Sequence, residues 1–434
     1  MSRLRVATIV LAAAVLGAGA GPAGAVPAAA STVPTAASAV PGPASAVPGP
    51  ASAPEYWFAR WHVPQLWRAG ARGQGVTIAE IDTGVNARLP ELAGRILRGR
   101  DLGQGGDGRV DRDISPFGHG TAMASIMVGR PGPLGIRGLA PGARILPIAV
   151  PVRGTTQQSM PGMLPQAISW AADHGAKIIN MSIGGQRYPG AASGPCPSNE
   201  QRAVFHALDA GAVVIAAVGN SGSRTKTVEE PGVCLGVVAV GAEDRAGAVA
   251  RFSAREPYVS LVAPGVNVPS LGRIARQVFS GSGTSQASAL VSATAALVWS
   301  RYPELTGDEL VSRLLATLQD HRLRSSEAYG FGSLDAYRAV TARVPAGAPN
   351  PVYSLAAPFR QRAVTLARGL GAPPRRARTS PLPRPHLVAR ADRSPPGVTA
   401  RLHAGVALAV VGAGVLLLLG LFGISQRRFR AHFS

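Results

Sequence analysis

An α/β domain with a mostly parallel sheet is predicted for residues 55–344, and three observations carry the prediction. Apolar runs of strand length recur at Val76-Thr77-Ile78-Ala79-Glu80-Ile81, Val213-Val214-Ile215-Ala216-Ala217-Val218 and Val237-Val238-Ala239-Val240, as in strands buried on both faces. Longer amphipathic or apolar stretches of helix length separate them. The block is also long enough to bury most of the surface its unfolded chain exposes, so it needs no partner to be stable.

The elements around that block follow from composition. Residues 1–25 combine Arg3 and Arg5, an apolar run from Val6 to Ala20 and the small-residue stretch Pro22-Ala23-Gly24-Ala25, the layout of a secretory signal peptide. Residues 26–54 are almost wholly Ala, Pro, Ser, Val and Gly, with Ser38-Ala39-Val40-Pro41-Gly42-Pro43-Ala44 repeated at Ser45-Ala46-Val47-Pro48-Gly49-Pro50-Ala51. Such a stretch cannot bury a core and is expected to be an extended spacer. Within the domain, residues 57–67 hold Trp57, Trp61 and Trp67 and are expected to pack as a lead-in helix; an aromatic binding platform is the alternative.

Inside the block, three short segments bear chemistry. In Ile81-Asp82-Thr83-Gly84 an apolar strand runs into a turn, which puts a carboxylate where open parallel sheets hold their sites. In Gly118-His119-Gly120-Thr121 the histidine opens a helix between two glycines, and in Gly283-Thr284-Ser285-Gln286 the serine stands on the first turn of an apolar helix that ends at Tyr302-Pro303. A helix start favours developing negative charge. Any one of these residues alone is more commonly a cap or a core polar group; acyl transfer requires all three. Ser285 Oγ would attack, His119 would carry the proton and Asp82 would orient and stabilise the imidazolium.

The chain order Asp, His, Ser is that of subtilisin and differs from the chymotrypsin and α/β-hydrolase orders. On these motifs the chain is identified as resembling the subtilase family. The resemblance implies a subtilisin-like three-layer α/β domain. It makes Asn220, at the end of Val218-Gly219-Asn220-Ser221-Gly222, the side-chain donor of an oxyanion hole together with the backbone N–H of Ser285. It also makes Ser182, Ile183 and Gly184, in Asn180-Met181-Ser182-Ile183-Gly184-Gly185, together with Gly219, the walls of the substrate pocket. Gly138-Leu139-Ala140-Pro141-Gly142-Ala143, residues 237–242 and Tyr329-Gly330-Phe331-Gly332 resemble scaffold segments of the same family. The sequence departs from the family at Ala289, where proline is usual, and at Gln286 and Ser288. Glu80 also interrupts the strand on the same face as Asp82. It is either a tolerated core oddity or a pH-tuned group.

The remaining motifs bear on structural and metal roles. Cys196 and Cys234 are the chain's two cysteines and lie in Gly/Pro-flanked loops of an exported domain, where a disulfide between them is expected and two free thiols are the alternative. Asp107, Asp111 and Asp113 lack EF-hand spacing and are expected to form a solvated loop. No metal site and no cofactor is expected. Thr306-Gly307-Asp308-Glu309 has the form of a capping box.

Beyond the domain, residues 345–403 are expected to be a Pro/Arg-rich linker. Residues 341–434 carry fourteen arginines and a single acid, Asp392, so most of the chain's net charge of +21 lies in the tail. Such a tail fits anionic lipid or cell-wall polymer, or a solvated spacer; no nucleic-acid recognition motif accompanies it. Residues 404–424 are uncharged and long enough to span a bilayer, and a basic tail, 425–434, follows with Arg427, Arg428 and Arg430. The combined layout is a signal peptide, a short Pro-rich lead, a subtilase domain, a linker, one span and a basic tail. It most resembles a mycosin, the membrane-anchored subtilase associated with type VII secretion systems of actinobacteria. The resemblance implies an extracellular, single-pass serine endopeptidase with protein or peptide substrates and a secretion complex as partner. The alternative is a subtilase-fold scaffold with little or no activity.

Overall fold

The chain forms strands and helices in the alternation its sequence predicts. The structure, a computed structural model, describes residues 47–48, 55–151, 162–187, 196–222, 228–320 and 325–369. It opens with β1 (Val47–Pro48), α1 (Tyr56–Arg60), α2 (Val63–Arg68), β2 (Thr77–Asp82), β3 (Arg100–Asp101) and α3 (His119–Val128). β4 (Arg144–Ala149), α4 (Met163–Asp173), β5 (Ile178–Met181), β6 (Gly185–Arg187), α5 (Ser198–Asp209), β7 (Val213–Ala217) and β8 (Val228–Glu230) come next. The remainder is β9 (Val237–Glu243), β10 (Leu261–Pro264), β11 (Val268–Leu271), β12 (Val278–Gly281), α6 (Thr284–Arg301), α7 (Gly307–Ala316), α8 (Ala336–Thr341) and α9 (Pro351–Gly369).

Seven strands make the main sheet, in the order β10-β9-β7-β5-β2-β4-β3, and every pairing in it is parallel. From β2 the chain runs to the edge strand β3, returns to β4 between them, and then crosses to β5 on the other side of β2 and continues that way. That reversal falls at β2 and β5, and α/β sheets bind ligands at the carboxyl ends of such strands. α3 and α6 pack together, and α6 lies along β5, β7, β9 and β10. α4 and α5 pack on each other, with α4 against β2, β4 and β5 and α5 against β7. These two helix groups and the sheet are the three layers expected. α6 is buried from Thr284 to Trp299, which its small and apolar residues allow on every face.

Trp57 and Trp61 are fully buried, so the aromatic segment packs on the core and is no binding platform. It forms two helices, because the chain breaks at His62, whose φ of 47° is left-handed. Arg60 anchors the first helix through Glu243 at 3.0 Å. The capping box forms: Thr306 Oγ1 accepts the Glu309 amide and Glu309 Oε2 accepts the Thr306 amide. Cys196 and Cys234 are bonded, with Cα atoms 5.0 Å apart. Their link closes a loop that includes β7, worth roughly 4 kcal/mol on the loop-entropy account.

Two expectations are corrected. Within the predicted spacer, β1 pairs antiparallel with Ser280 and Phe279 of β12, because even a Pro-containing segment can supply an edge strand. The linker was expected from residue 345, yet α9 runs from Pro351 to Gly369, buries Val352, Tyr353 and Ala356, and pairs Arg360 with Asp209. Pro351 at the first helical position starts this helix without loss of a hydrogen bond. Among the described residues no helix is long and apolar enough to cross a membrane. The predicted signal peptide, most of the spacer, the linker beyond 369, the span 404–424 and the basic tail lie outside the described residues.

Candidate active site

β2 delivers Asp82 to the carboxyl edge of the sheet, where its side chain is fully buried. His119, the first residue of α3, meets it there: Nδ1 lies 2.8 Å from Asp82 Oδ1 and 3.0 Å from Oδ2. The glycines around His119 serve packing as much as access. A Cβ on Gly120 would stand 2.2 Å from the Gly84 carbonyl oxygen, so only glycine lets α3 approach the turn after Asp82 this closely. Thr83 Oγ1 accepts the Gly120 amide at 2.9 Å and Asp113 Oδ2 accepts the His119 amide at 2.9 Å. The imidazole is therefore held from both its backbone and its ring, with Nε2 as the nitrogen left to take a proton.

Ser285 is 8% exposed at the start of α6. Its hydroxyl donates to the Ser182 carbonyl oxygen at 2.7 Å, so the expected hydrogen bond to His119 is not the one formed here. Rotation about one single bond redirects a hydroxyl, and such bonds commonly align only when substrate is present. A buried polar chain fixes the backbone on both sides. Ser292 Oγ donates to Asn180 Oδ1, Asn180 Nδ2 donates to Ser182 Oγ, and Ser182 Oγ and Ser288 Oγ each donate to the Ser285 carbonyl oxygen at 3.0 Å. The departure at Ser288 thus supplies a donor to the residue that matters. Asn220 Oδ1 accepts from Thr284 N at 3.0 Å and Thr284 Oγ1 at 3.1 Å. That orients the side-chain amide through its oxygen.

The acidic residues are not all solvated. Asp111 is buried, accepting Thr83 Oγ1 at 2.8 Å, Thr121 Oγ1 at 2.5 Å and the Thr121 and Asp113 amides. The expectation of a solvated loop fails at this residue because Thr83 and Thr121 supply the donors that water would have. Burial pushes its carboxyl upward, opposed by those donors. Glu80 is 1% exposed and neither carboxyl oxygen makes a hydrogen bond, although the Ala124 amide lies near enough to favour its charged form slightly. Burial, then the charges of Asp82 and Asp111, hold it well above its ordinary value of 4.5.

The sign of its linkage follows. Folded Glu80 keeps its proton where the unfolded chain has lost it, so it lowers stability increasingly as pH rises from its ordinary value toward its folded one. Glu80→Met, made in a Ser285→Ala background to prevent self-digestion, should therefore be more stable by about 1–3 kcal/mol at pH 8. The gain should shrink toward pH 5. Thermal unfolding at the two pH values checks this, and a loss of stability at pH 8 would show that Glu80 has a hidden partner.

Of the pocket residues expected from sequence, Ser182 is buried, Ile183 half-buried and Gly184 exposed just after β5, while Gly219 follows β7 with φ of 98°. A Cβ on Gly219 would strike Glu229, a residue that sequence reasoning did not single out. Cys196, Glu200 and Cys234 bring potential ligand atoms within 4.8 Å of one another, but both sulfurs are committed to the disulfide.

Residues 73–332 match the family model described as the subtilase family, Peptidase S8. The chain belongs to the subtilase family. It is 33% identical over 343 residues to Mycosin-3 of Mycobacterium tuberculosis, covering 66% of this chain and 71% of that one. It is 34% identical over 280 residues to a thermophilic serine proteinase of a Bacillus species, covering 63% and 64% respectively. Among solved structures this subtilase resembles MycP1 from the ESX-1 type VII secretion system, with a TM-score of 0.62, 26% identity and coverage of 71% and 92%. It also resembles the MycP3 protease from the type VII (ESX-3) secretion system, with a TM-score of 0.61, 29% identity and coverage of 70% and 93%. The subtilisin-like α/β fold and a serine-peptidase ancestry follow from these matches.

Proposed function

We propose that this subtilase is a membrane-anchored extracytoplasmic serine endopeptidase that works beside a type VII secretion complex. The observation that carries the reading is the Asp82–His119 contact at 2.8 and 3.0 Å, together with Ser285 on the first turn of α6, where Asn220 Oδ1 accepts the Thr284 amide. In the proposed reaction Ser285 Oγ adds to the scissile carbonyl as His119 Nε2 takes its proton. Asn220 Nδ2 and the Ser285 amide receive the oxyanion, and the protonated imidazole then gives its proton to the leaving amine. Water repeats the sequence on the acyl-enzyme. Location rests on residues 1–25 as an export signal and 404–424 as one span, with the domain between them outside the cell. The likeness to proteins of type VII systems supports the partner.

One observation favours the second reading, a scaffold that cleaves little or nothing: the Ser285 hydroxyl is bonded to Ser182 and not to His119. The two readings separate in one experiment. A fluorophosphonate probe should label Ser285 of the folded, detergent-solubilised chain and should fail on Ser285→Ala. Folded protein that stays unlabelled would leave the scaffold.

A further inference from the structure

Four arginines gather at the end of the sheet remote from the candidate active site. Arg144 opens β4 in register with Thr77, the first residue of β2, and Ile145 pairs with Ile96, the residue after Arg95. Arg72 rests on the Trp67 ring, and its carbonyl accepts the Gly142 amide at 2.7 Å. Arg130 Nη1 donates to the Ala93 carbonyl at 3.4 Å. Asp82 lies five residues along β2 from Thr77, about 16 Å away at the usual strand rise. The cluster is therefore no part of the catalytic arrangement.

A pocket of about 400 Å³ lies at these strand starts, with Gly75, Thr77, Gly142, Arg95 and Arg144 in its lining. That volume is at the lower end of the range for small-molecule sites. Arg95 is half-buried, and its Nε is shielded from solvent without a hydrogen-bond partner. Burial, then the charges of Arg130, Arg144 and Arg72, push its guanidinium downward from its ordinary value. All three neighbours carry the same sign. Among the described residues none of the four arginines forms a salt bridge. A shielded donor without an acceptor and a group of crowded cations are both unfavourable, and one ligand can relieve both.

We propose that this pocket binds a phosphate-bearing anion, with Arg95 and Arg144 as its direct ligands and Arg72 and Arg130 adding to the field that attracts it. A guanidinium edge made by Nε and one Nη presents two parallel donors, a spacing that two phosphate oxygens match. The shielded Nε of Arg95 thereby gains its acceptor. A group with two negative charges offsets more of the four positive charges than a single carboxylate does, which favours phosphate. The volume leaves room for whatever bears the phosphate, so a phosphorylated small molecule and a phospholipid headgroup share the chemistry required. Binding at this end of the sheet does not depend on whether Ser285 cleaves peptides.

The test uses the full-length Ser285→Ala chain in detergent, which prevents self-digestion, with ionic strength held constant by sodium chloride. Thermal unfolding of the domain is the readout. An anion bound to the folded domain raises the midpoint by linkage, whereas one held only by the arginines of the tail does not. Inorganic pyrophosphate should raise the midpoint saturably, and inorganic phosphate should do so at higher concentration. Arg95→Gln and Arg144→Gln should each increase the pyrophosphate concentration required by about tenfold or more. Micelles doped with phosphatidic acid, compared with phosphatidylcholine, separate the sources. A rise with phosphatidic acid extends the site to lipid headgroups, and a rise with free pyrophosphate alone restricts it to soluble anions. No saturable rise with either probe, or a rise that both substitutions leave unchanged, overturns the assignment. Arg144 is exposed, so Arg144→Gln decides the matter even when Arg95→Gln does not fold.

Discussion

His119→Ala is expected to lower kcat by about a millionfold, as Ser285→Ala should, and the double variant should be no slower than either. The reason is geometric. Asp82 holds Nδ1 with both oxygens, so in the proposed reaction Nε2 is the base that would make Ser285 a nucleophile, and without it no base would take the proton of the hydroxyl. The pH profile carries a second signature. Burial alone would push the imidazole down, but the charge and hydrogen bond of Asp82 outweigh it, with Asp113 and Asp111 adding, and the net shift is upward from 6.5. Protonated His119 cannot accept the serine proton, so kcat/KM should rise with pH through a midpoint above 6.5. Asp82→Asn should move that midpoint downward while lowering kcat by about ten-thousandfold. Steady-state rates on one peptide from pH 5 to 9 check both statements. Multiplicative losses in the double variant would mean that the two residues do not act as a unit.

What the sequence disclosed and what it hid divide along a physical line. The positions of Asp82 at a strand end, His119 at a glycine-flanked helix start and Ser285 on a helix's first turn were legible because each is set by a local motif. The main sheet was legible because its strands are buried on both faces and appear as continuous apolar runs. Glu80 was noticed because the period of a strand is two, which places it on the face of Asp82, and its upward shift owes its second cause to that neighbour. The place of Glu229 beside Gly219 was hidden because it depends on β8 pairing with β6, a long-range contact with no periodic signature. Asp111 was misjudged because Thr83 and Thr121, the donors that let it be buried, come from two other segments. α9 was missed because Pro351 and Pro358 give the segment a linker's composition, while its anchoring residues Val352, Tyr353 and Ala356 are few.

The second large effect is expected at Asn220. Asn220→Ala should lower kcat about 100- to 1000-fold with little change in KM, since the lost donor would act on the oxyanion and not on the bound peptide. Alanine also removes the acceptor of Thr284 N and Oγ1 at the start of α6, a cost of about 1 kcal/mol by analogy with helix caps. The two losses can be separated. Asn220→Asp keeps an oxygen for Thr284, and its charge suits a helix start, so thermal stability should stay near that of the parent. Yet aspartate replaces the NH2 donor with a second oxygen and sets negative charge against the oxyanion, so kcat should fall at least as far as in the alanine variant. An aspartate variant that keeps kcat within about tenfold of the parent would mean that the oxyanion draws its donors from backbone amides alone. Asn220 would then be a cap for α6 and nothing more.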